Sequence, residues 1–406
     1  VQYGAGRYEL FLLQVRFILV IAESRDNALA NRIGVVVVLL MAIGAVFVFS
    51  ASANINQELN LRDFYSFRSL RHIVFFPLAV MVMYAVSALN YRWLSLDKGW
   101  FKCPVTYVLA INVVLLVVVL IPRFGTEVNY ARRWLMIPVG PFSISFQPSE
   151  LAKWSLIFFV AAFCDKFSDN LGLYRKRFLP ICAVITVVVG LIVTQDFGTA
   201  ALISLLSVVL LLIAGVKLWH VMTLMPLGLL GFCVILLRSP GRLQRIAAFL
   251  NPEKWAGTVA YQANQSLIAL GSGGLLGKGL GRGVCKYGHL PEDTTDFVLA
   301  IIGEELGFVG TFAVIVLFVI FVWLGILVVM RCRDRFGQLL AAGIVLAIGT
   351  QAALNIGVVT VVLPTKGIAL PFVSAGGTGM LLSAVAVGVL INIAGQNTKA
   401  LPLEEQ

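Results

Sequence analysis

Residues 289–308 read HLPEDTTDFVLAIIGEELGF and hold five carboxylates, Glu292, Asp293, Asp296, Glu304 and Glu305, out of 20 acidic residues in a chain of 406. Carboxylates beside apolar runs are the groups that take protons, hold cations or cap helices. Pro291 suits the first turn of a helix, and Glu292 and Asp293 suit its positive N-terminal end. Asp296 lies one turn beyond Glu292 and opens the run FVLAIIG. A carboxylate at the mouth of an apolar segment is partly stripped of water, which makes it a stronger base. Glu304 falls about 80° from Asp296 around a continuous helix and Glu305 about 180°, so at most one of them can share its pocket. An acid pair in a helix near a membrane reads either as a functional site or as an interfacial cap of the next span.

Further stretches offer cations and broken backbone. NYARRWL (129–135) sets Arg132 and Arg133 beside Trp134. FQPSELAKW (146–154) opens an apolar run and places Glu150 and Lys153 at i, i+3, the spacing of a local ion pair. Lys153 is costly against lipid and is expected to face a bundle interior. TQDFGTA (194–200) sets Asp196 in a tight turn, a weak signal by itself. LPTKGIALPFVSAGGTGM (363–380) combines prolines, glycines and Lys366 where two apolar runs meet. Broken backbone at membrane depth survives only inside protein or along a wet cavity, which makes Lys366 a candidate anion holder, with a plain turn as the alternative. GSGGLLGKGLGRG (271–283) has spaced glycines but no preceding strand, so it is no dinucleotide fingerprint. His72, His220 and His289 form no HExxH or Ser-His arrangement, against metalloprotease and serine-hydrolase chemistry.

Composition places these groups in a membrane. Mean hydropathy is +0.93 and 13% of residues are charged, against roughly 25% in soluble domains. Apolar runs near 33–52, 72–89, 104–122, 148–164, 178–194, 197–215, 218–237, 308–330, 337–361 and 371–394 predict about ten helices in one all-α polytopic membrane domain over 33–395. A cytoplasmic or interfacial segment, 1–32, with its own helix near 10–22, precedes it, and a short cytoplasmic tail, 396–406, follows. The long outer loop, 238–307, exceeds the usual length of a connection and carries helix-period pieces, RLQRIAAFL and YQANQSLIAL, expected to lie on the outer face. Arg92, Lys98, Lys102, Arg175, Lys176, Arg177, Arg331, Arg333 and Arg335 fall on one side of this map, so both termini are expected in the cytoplasm. The net charge of +11 sits singly between apolar runs, which suits anionic membrane lipid and excludes nucleic acid as the partner. Six cysteines without CxxC pairing support neither a disulfide framework nor a zinc site.

Several motifs together resemble one family. FSAS (49–52), EVNYARRWL, FQPSELAK, QDFGTA, RIAAFLNPEKW with YQANQSLIALGSGGLLGKGLG, LPEDTTDFVLAIIGEELG and LPTKGIALPFVSAGG run in family order over about residues 33–395. The set is similar to the SEDS proteins (shape, elongation, division and sporulation), bacterial membrane glycosyltransferases that polymerise the lipid-linked disaccharide precursor of peptidoglycan. The lysine of LPTKG looks more like the division-associated FtsW branch than the elongation-associated RodA branch. The resemblance implies ten transmembrane helices, a large extracytoplasmic loop between the seventh and eighth, and Asp296 of the TDF motif as the catalytic residue. It also implies lipid II as substrate. A cognate class B penicillin-binding transpeptidase and other division proteins are the implied partners, in the bacterial inner membrane at the septum. The chain departs from the pattern at Tyr130, where the family usually has Gly, at Gln195, where it usually has Pro, and at SAGGTG, which replaces S-aromatic-GGSS.

On that reading a sugar hydroxyl attacks an anomeric carbon while a lipid diphosphate leaves, which calls for a base and for positive charge. Asp296 is the expected base, or it positions the acceptor 4-hydroxyl through a divalent cation, Mg or Mn; no organic cofactor is expected. Arg132, Arg133, Arg242, Arg245 and Lys366, with buried Lys153, are the candidate diphosphate ligands. Glu292 is a further candidate for substrate binding, and the helices near 243–270 are expected to guide the polyprenyl tail. The rival readings are a flippase of the same lipid, with Lys153 and residues 363–380 along its path, and a non-catalytic division scaffold.

Overall fold

The computed structural model describes residues 5–52, 68–97, 99–128, 131–139, 142–286 and 294–396. Backbone polar groups in lipid must be satisfied within their own segment, and the described chain is accordingly built from helices. α1 (Ala5–Ser52) is one unbroken helix, so the helix expected near 10–22 is not separate but continuous with the apolar stretch Asn27–Ala51. α2 (Arg68–Ser87) and α3 (Pro104–Leu120) follow. A three-stranded antiparallel meander comes next, β1 (Gly125–Val128), β2 (Ala131–Val139) and β3 (Phe142–Phe146), in the order β1-β2-β3. It pairs Thr126 with Trp134 and Leu135 with Phe146. α4 (Pro148–Lys166), α5 (Leu179–Val193), α6 (Phe197–Ile213) and α7 (Leu218–Leu237) complete the first seven helices.

The long outer segment folds into α8 (Pro240–Leu250) and α9 (Tyr261–Gly273) before the glycine-rich turns. α10 (Val298–Arg331), α11 (Arg335–Val359) and α12 (Gly377–Gln396) close the bundle. α1 to α7 and α10 to α12 fall on the apolar runs read from the sequence, with two shifts: α10 starts at Val298, ahead of residue 308, and breaks at Gly307 (φ 69, ψ −161), and α12 starts at Gly377, after residue 371. Six helical stretches are long and apolar enough to cross a membrane, and Val74–Ser87, α3 and α6 are apolar but shorter. α4 differs because Glu150, Lys153, Asp165 and Lys166 interrupt its hydropathy.

α4 is the axis of the bundle. Every residue from Ala152 to Cys164 is buried, and α3, α6 and α11 pack around it. A helix apolar on all faces can only sit where protein surrounds it. In lipid its association rests on close packing, because lipid tails are as apolar as leucine. α7 is the opposite case, with Val221 its one buried residue among those described. At the end of α11 the chain reverses through Val361 at φ 57, and the N–H groups of Val362 and Leu363 both return to the Gly357 carbonyl (2.8 and 2.9 Å). Phe372, also at positive φ (66), is buried beside Phe321. Left-handed backbone at such residues persists only where the surroundings hold it, and at Phe372 α1 does so. A Cβ on Gly44 would stand 2.6 Å from the Val373 carbonyl oxygen, so only glycine lets α1 lie this close to the loop.

Candidate active site

The TTDF turn, residues 294–297, ends against the interior: Phe297 and every residue from Val298 to Ile302 are buried, while Asp296 is half-buried. Its backbone is tied to the loop between α11 and α12. The Thr294 carbonyl accepts from the Ala375 N–H (2.8 Å), and the Asp296 carbonyl accepts from Asn355 Nδ2 (2.8 Å). The same Nδ2 donates to the Ile368 carbonyl (2.7 Å). The carboxylate lies directly over Gly367, with Oδ2 2.9 Å from where a Cβ on that residue would stand. The glycine of TKG therefore makes room for Asp296.

Lys366 leaves the other flank of the same turn. Its Cε packs onto Gly198, where a Cβ would overlap it, and its ammonium is within electrostatic reach of Asp196. Burial holds this ammonium below the ordinary lysine value of 10.5, with Asp196 opposing the shift in part. Asp196 caps α6 by accepting from Thr199 N (3.1 Å) and Thr199 Oγ1 (2.8 Å). Arg242 of α8 donates to the Thr194 carbonyl (3.1 Å) and covers the Phe197 ring at 5.1 Å. Arg133 of β2 donates from Nε to the Gln195 carbonyl (2.8 Å). Burial, then repulsion from Arg133, depresses the Arg242 guanidinium, and Asp196 offsets part of it. The turn 194–198, a weak signal in sequence, is thus the hub on which β2, α8 and the TKG loop converge.

Not every expected residue joins it. Arg132, next to Arg133 on a strand where neighbours point to opposite faces, pairs with Glu127 at 3.2 Å. Arg245 is exposed and lines, with Gln244, Thr258, Gln262 and Thr365, a cavity of about 350 Å³ beside the hub. Lys153 is fully buried, as expected, and is held by Glu150 (2.8 Å) and Gln351 (2.7 Å). Gln351 Nε2 in turn donates to the Ala369 carbonyl (2.9 Å), so Lys153 braces the loop from beneath. Glu292, with Pro291 and Asp293, lies outside the described residues. Glu304 and Glu305 do not face Asp296: both turn to the glycine-rich segment, where Glu304 accepts from Lys278 Nζ (2.7 Å) and Glu305 from Lys286 Nζ (2.9 Å). Sequence reading missed Gln351 and Asn355. Their i, i+4 spacing in an otherwise apolar helix was the available signal, because buried amides in a membrane helix need partners.

Among the described residues no three His, Cys, Asp or Glu side chains converge on a point. Among those residues Asp296 is the one carboxylate at the turn, so a divalent cation there would take its other oxygen ligands from outside this set, a coordination that Mg accepts. What the protein itself supplies is a half-buried carboxylate on one flank of a turn and three cations on the other.

The pattern of the FtsW/RodA/SpoVE family, described as cell cycle protein, matches residues 31–399. Stage V sporulation protein E of Bacillus subtilis is 37% identical over 361 residues, which span 88% of this chain and 95% of that protein. The probable peptidoglycan glycosyltransferase FtsW of Trichlorobacter lovleyi is 37% identical over 358 residues, 88% of this chain and 91% of the relative. Among solved structures, a chain of a peptidoglycan synthase complex that coordinates polymerization and crosslinking superposes with a TM-score of 0.67 at 22% identity, covering 89% of this chain and 97% of that one. The rod shape determining protein RodA of Thermus thermophilus does so at 0.61 and 23%, covering 90% and 96%. These two likenesses establish the fold, and with the sequence matches they place the chain in the FtsW/RodA/SpoVE family of cell cycle proteins, on its FtsW-like side.

Proposed function

We propose that this chain is a peptidoglycan glycosyltransferase that polymerises lipid II into glycan strands at the outer face of the bacterial cytoplasmic membrane, during septal wall synthesis. The observation that carries the reading is the two-sided TKG turn, with the Asp296 carboxylate over Gly367 and Lys366 directed to the Arg133–Arg242 hub. The acceptor 4-hydroxyl attacks the anomeric carbon, the bond from that carbon to the diphosphate breaks, and the diphosphate departs with the electron pair. Asp296 takes the hydroxyl proton, and Lys366, Arg242 and Arg133 receive the developing charge. A single in-line displacement inverts the anomeric centre. A divalent cation, where bound, adds Lewis-acid polarisation at the same place. Exposed Leu243, Ile246 and Leu250 on α8 suit the polyprenyl chain.

Topology supports the outer placement. The α3–α4, α5–α6, α7–α10 and α11–α12 connections meet at the hub, as connections on one side of a membrane must. Arg92, Lys102, Arg175, Arg331 and Arg333 lie at the other end, which the positive-inside rule assigns to the cytoplasm together with both termini. The partner in this reading is a class B penicillin-binding transpeptidase, in keeping with the peptidoglycan synthase complex to which the fold is similar. The test is a gel assay of purified protein on the lipid-linked precursor, with and without a transpeptidase partner and with a chelator. Asp296→Ala is expected to lower strand formation by about 100-fold or more. Undiminished strands would sink the assignment, and lipid translocation without strands would favour transport.

A further inference from the structure

We propose that Asn355 is a positioning residue for Asp296: its amide NH₂ pins the TTDF turn and the TKG loop to each other and so sets where the carboxylate stands over Gly367. The inference rests on the reading that Asp296 is the catalytic base. Asn355 is 1% exposed, one turn before the end of α11, and both hydrogens of its amide are used, toward the Asp296 carbonyl at 2.8 Å and the Ile368 carbonyl at 2.7 Å. One side chain thus joins the two segments that carry the carboxylate and Lys366.

Chemistry fixes the orientation of that amide. Turned over, Asn355 would aim its oxygen at two carbonyl oxygens, so only the observed orientation is attractive. That orientation leaves Oδ1 buried without a hydrogen-bond partner among the described residues. A buried acceptor left unpaired is unfavourable, so the two donated bonds outweigh it. Retention of the loop does not depend on Asn355 alone. Gln351 holds Ala369 (2.9 Å), Ser374 Oγ accepts from Leu370 N (2.7 Å), and the Gly44 contact fixes residues 372–373. What Asn355 adds is register between the loop and Asp296. Being fully enclosed, it touches no substrate and acts only through its neighbour. A misplacement of about 1 Å at a reacting group costs on the order of 100-fold in rate.

The test titrates the lipid-linked precursor against full-length protein in nanodiscs, for the parent, Asn355→Ala, Asn355→Asp, Asn355→Gln and Asp296→Asn, with thermal midpoints measured alongside. Asn355→Ala and the isosteric but donor-less Asn355→Asp are expected to lower kcat tenfold or more per folded molecule, with KM within about twofold. Asn355→Gln, which keeps the NH₂ on a longer arm, is expected to recover part of kcat. It also carries the test if the other two do not fold. Parent-like kcat in a folded Asn355→Asp or Asn355→Gln, with Asp296→Asn inactive, overturns the positioning role alone. So does a raised KM at unchanged kcat. Full activity of Asp296→Asn overturns the reading beneath it, and that outcome is separable because it appears in the Asp296 variant itself.

Discussion

Glu304 and Glu305 are fully buried, and each is saturated with donors. Glu304 accepts from Lys278 Nζ (2.7 Å), Val284 N (2.9 Å) and Cys285 N (3.1 Å). Glu305 accepts from Ser50 Oγ (2.8 Å), Gly281 N (3.0 Å) and Lys286 Nζ (2.9 Å). Asp296, in the same short stretch of chain, is half-buried, held by its backbone, and its carboxylate meets the exposed Gly367. The two places share residue type and neighbourhood but not purpose. Gly307, at φ 69, breaks α10 just past the glutamates, and the glycine-rich segment fills the break. Phe308 N reaches the Gly274 carbonyl (2.8 Å), and Lys278 N and Gly279 N reach the carbonyls of Glu304 and Glu305 (3.0 Å each). The glutamates are a buckle that fastens this segment to α10 and α1. A carboxylate enclosed among buried donors fastens, while in the proposed reaction the half-buried one, on a backbone clamped to the TKG loop, takes the proton.

That contrast is broken most sharply by exchanging the two kinds of damage. Glu305→Ala leaves the Lys286 ammonium, almost wholly buried, without its carboxylate. Removing one partner of a buried pair costs about 3–5 kcal/mol, so little folded protein is expected, measured by yield and thermal midpoint. Asp296→Asn, which keeps the size of the side chain and the backbone bond from Asn355, is expected to cost far less stability than Glu305→Ala and to remove polymerisation. A stable Glu305→Ala, or an unstable Asp296→Asn, would erase the distinction.

The cations sharpen it next. Hydrogen bonds to charged groups contribute about 1.5–3 kcal/mol, so Lys366→Ala and Arg242→Ala are each expected to lower kcat/KM by about 10- to 100-fold in initial-rate titrations. Lys278→Ala, which strikes the buckle, is expected to leave kcat/KM per folded molecule unchanged and to lower only the thermal midpoint.

A smaller effect separates the hub by pH. The ammonium of Lys366 is held below its ordinary 10.5 by burial, so the folded protein releases that proton before the unfolded chain does. Where the unfolded state binds more protons, stability rises with pH, and here that window lies between the lowered value and 10.5. Diphosphate binding runs the other way, because it needs the charged form: affinity should fall as pH rises through the lowered value. Arginine stays protonated throughout, so Lys366→Arg is expected to flatten that decline, measured as inhibition by a diphosphate analogue across alkaline pH. A decline of the same steepness in Lys366→Arg would assign it to another group.

The bundle was legible because apolar runs bounded by charge are a one-dimensional signal: the helices fell where the runs lie, and Lys153 faced inward as its cost in lipid requires. The buckle was not legible. Glu304 and Glu305 read equally as a functional pair or as the cap of a span, since their partners Ser50, Lys278 and Lys286 come from segments that only the folded chain brings near. Asp196 looked trivial for the same reason, its turn gaining meaning only when β2, α8 and Lys366 arrive. The meander at 125–146 has a faint signal of its own, FSISF alternating with period two after a Gly-Pro pair, but it is short and lies between two apolar helical runs whose composition dominates the region.

Gln195, where the family pattern usually has proline, gives the finest probe of the hub. Its carbonyl oxygen accepts from Arg133 Nε (2.8 Å), a bond any residue could offer, whereas its side-chain Oε1 accepts from the Arg132 N–H (2.9 Å), a bond proline cannot offer. Gln195→Ala isolates the second bond and should cost about 0.5–1.5 kcal/mol of stability. Gln195→Pro loses that bond and its own N–H to the Ile192 carbonyl (3.1 Å). Its ring also disfavours the helical backbone of Thr194 before it (φ −67, ψ −38), and where the lost N–H was hydrogen-bonded the cost exceeds the gain from a stiffer unfolded chain. Proline should therefore lower the thermal midpoint more than alanine does. Both should keep parent kcat/KM, because the Arg133 contact runs through the backbone. If Gln195→Ala lowered kcat/KM as much as Arg242→Ala does, the side chain and not the turn would be orienting the cations, and the hub would have to be redrawn around β2.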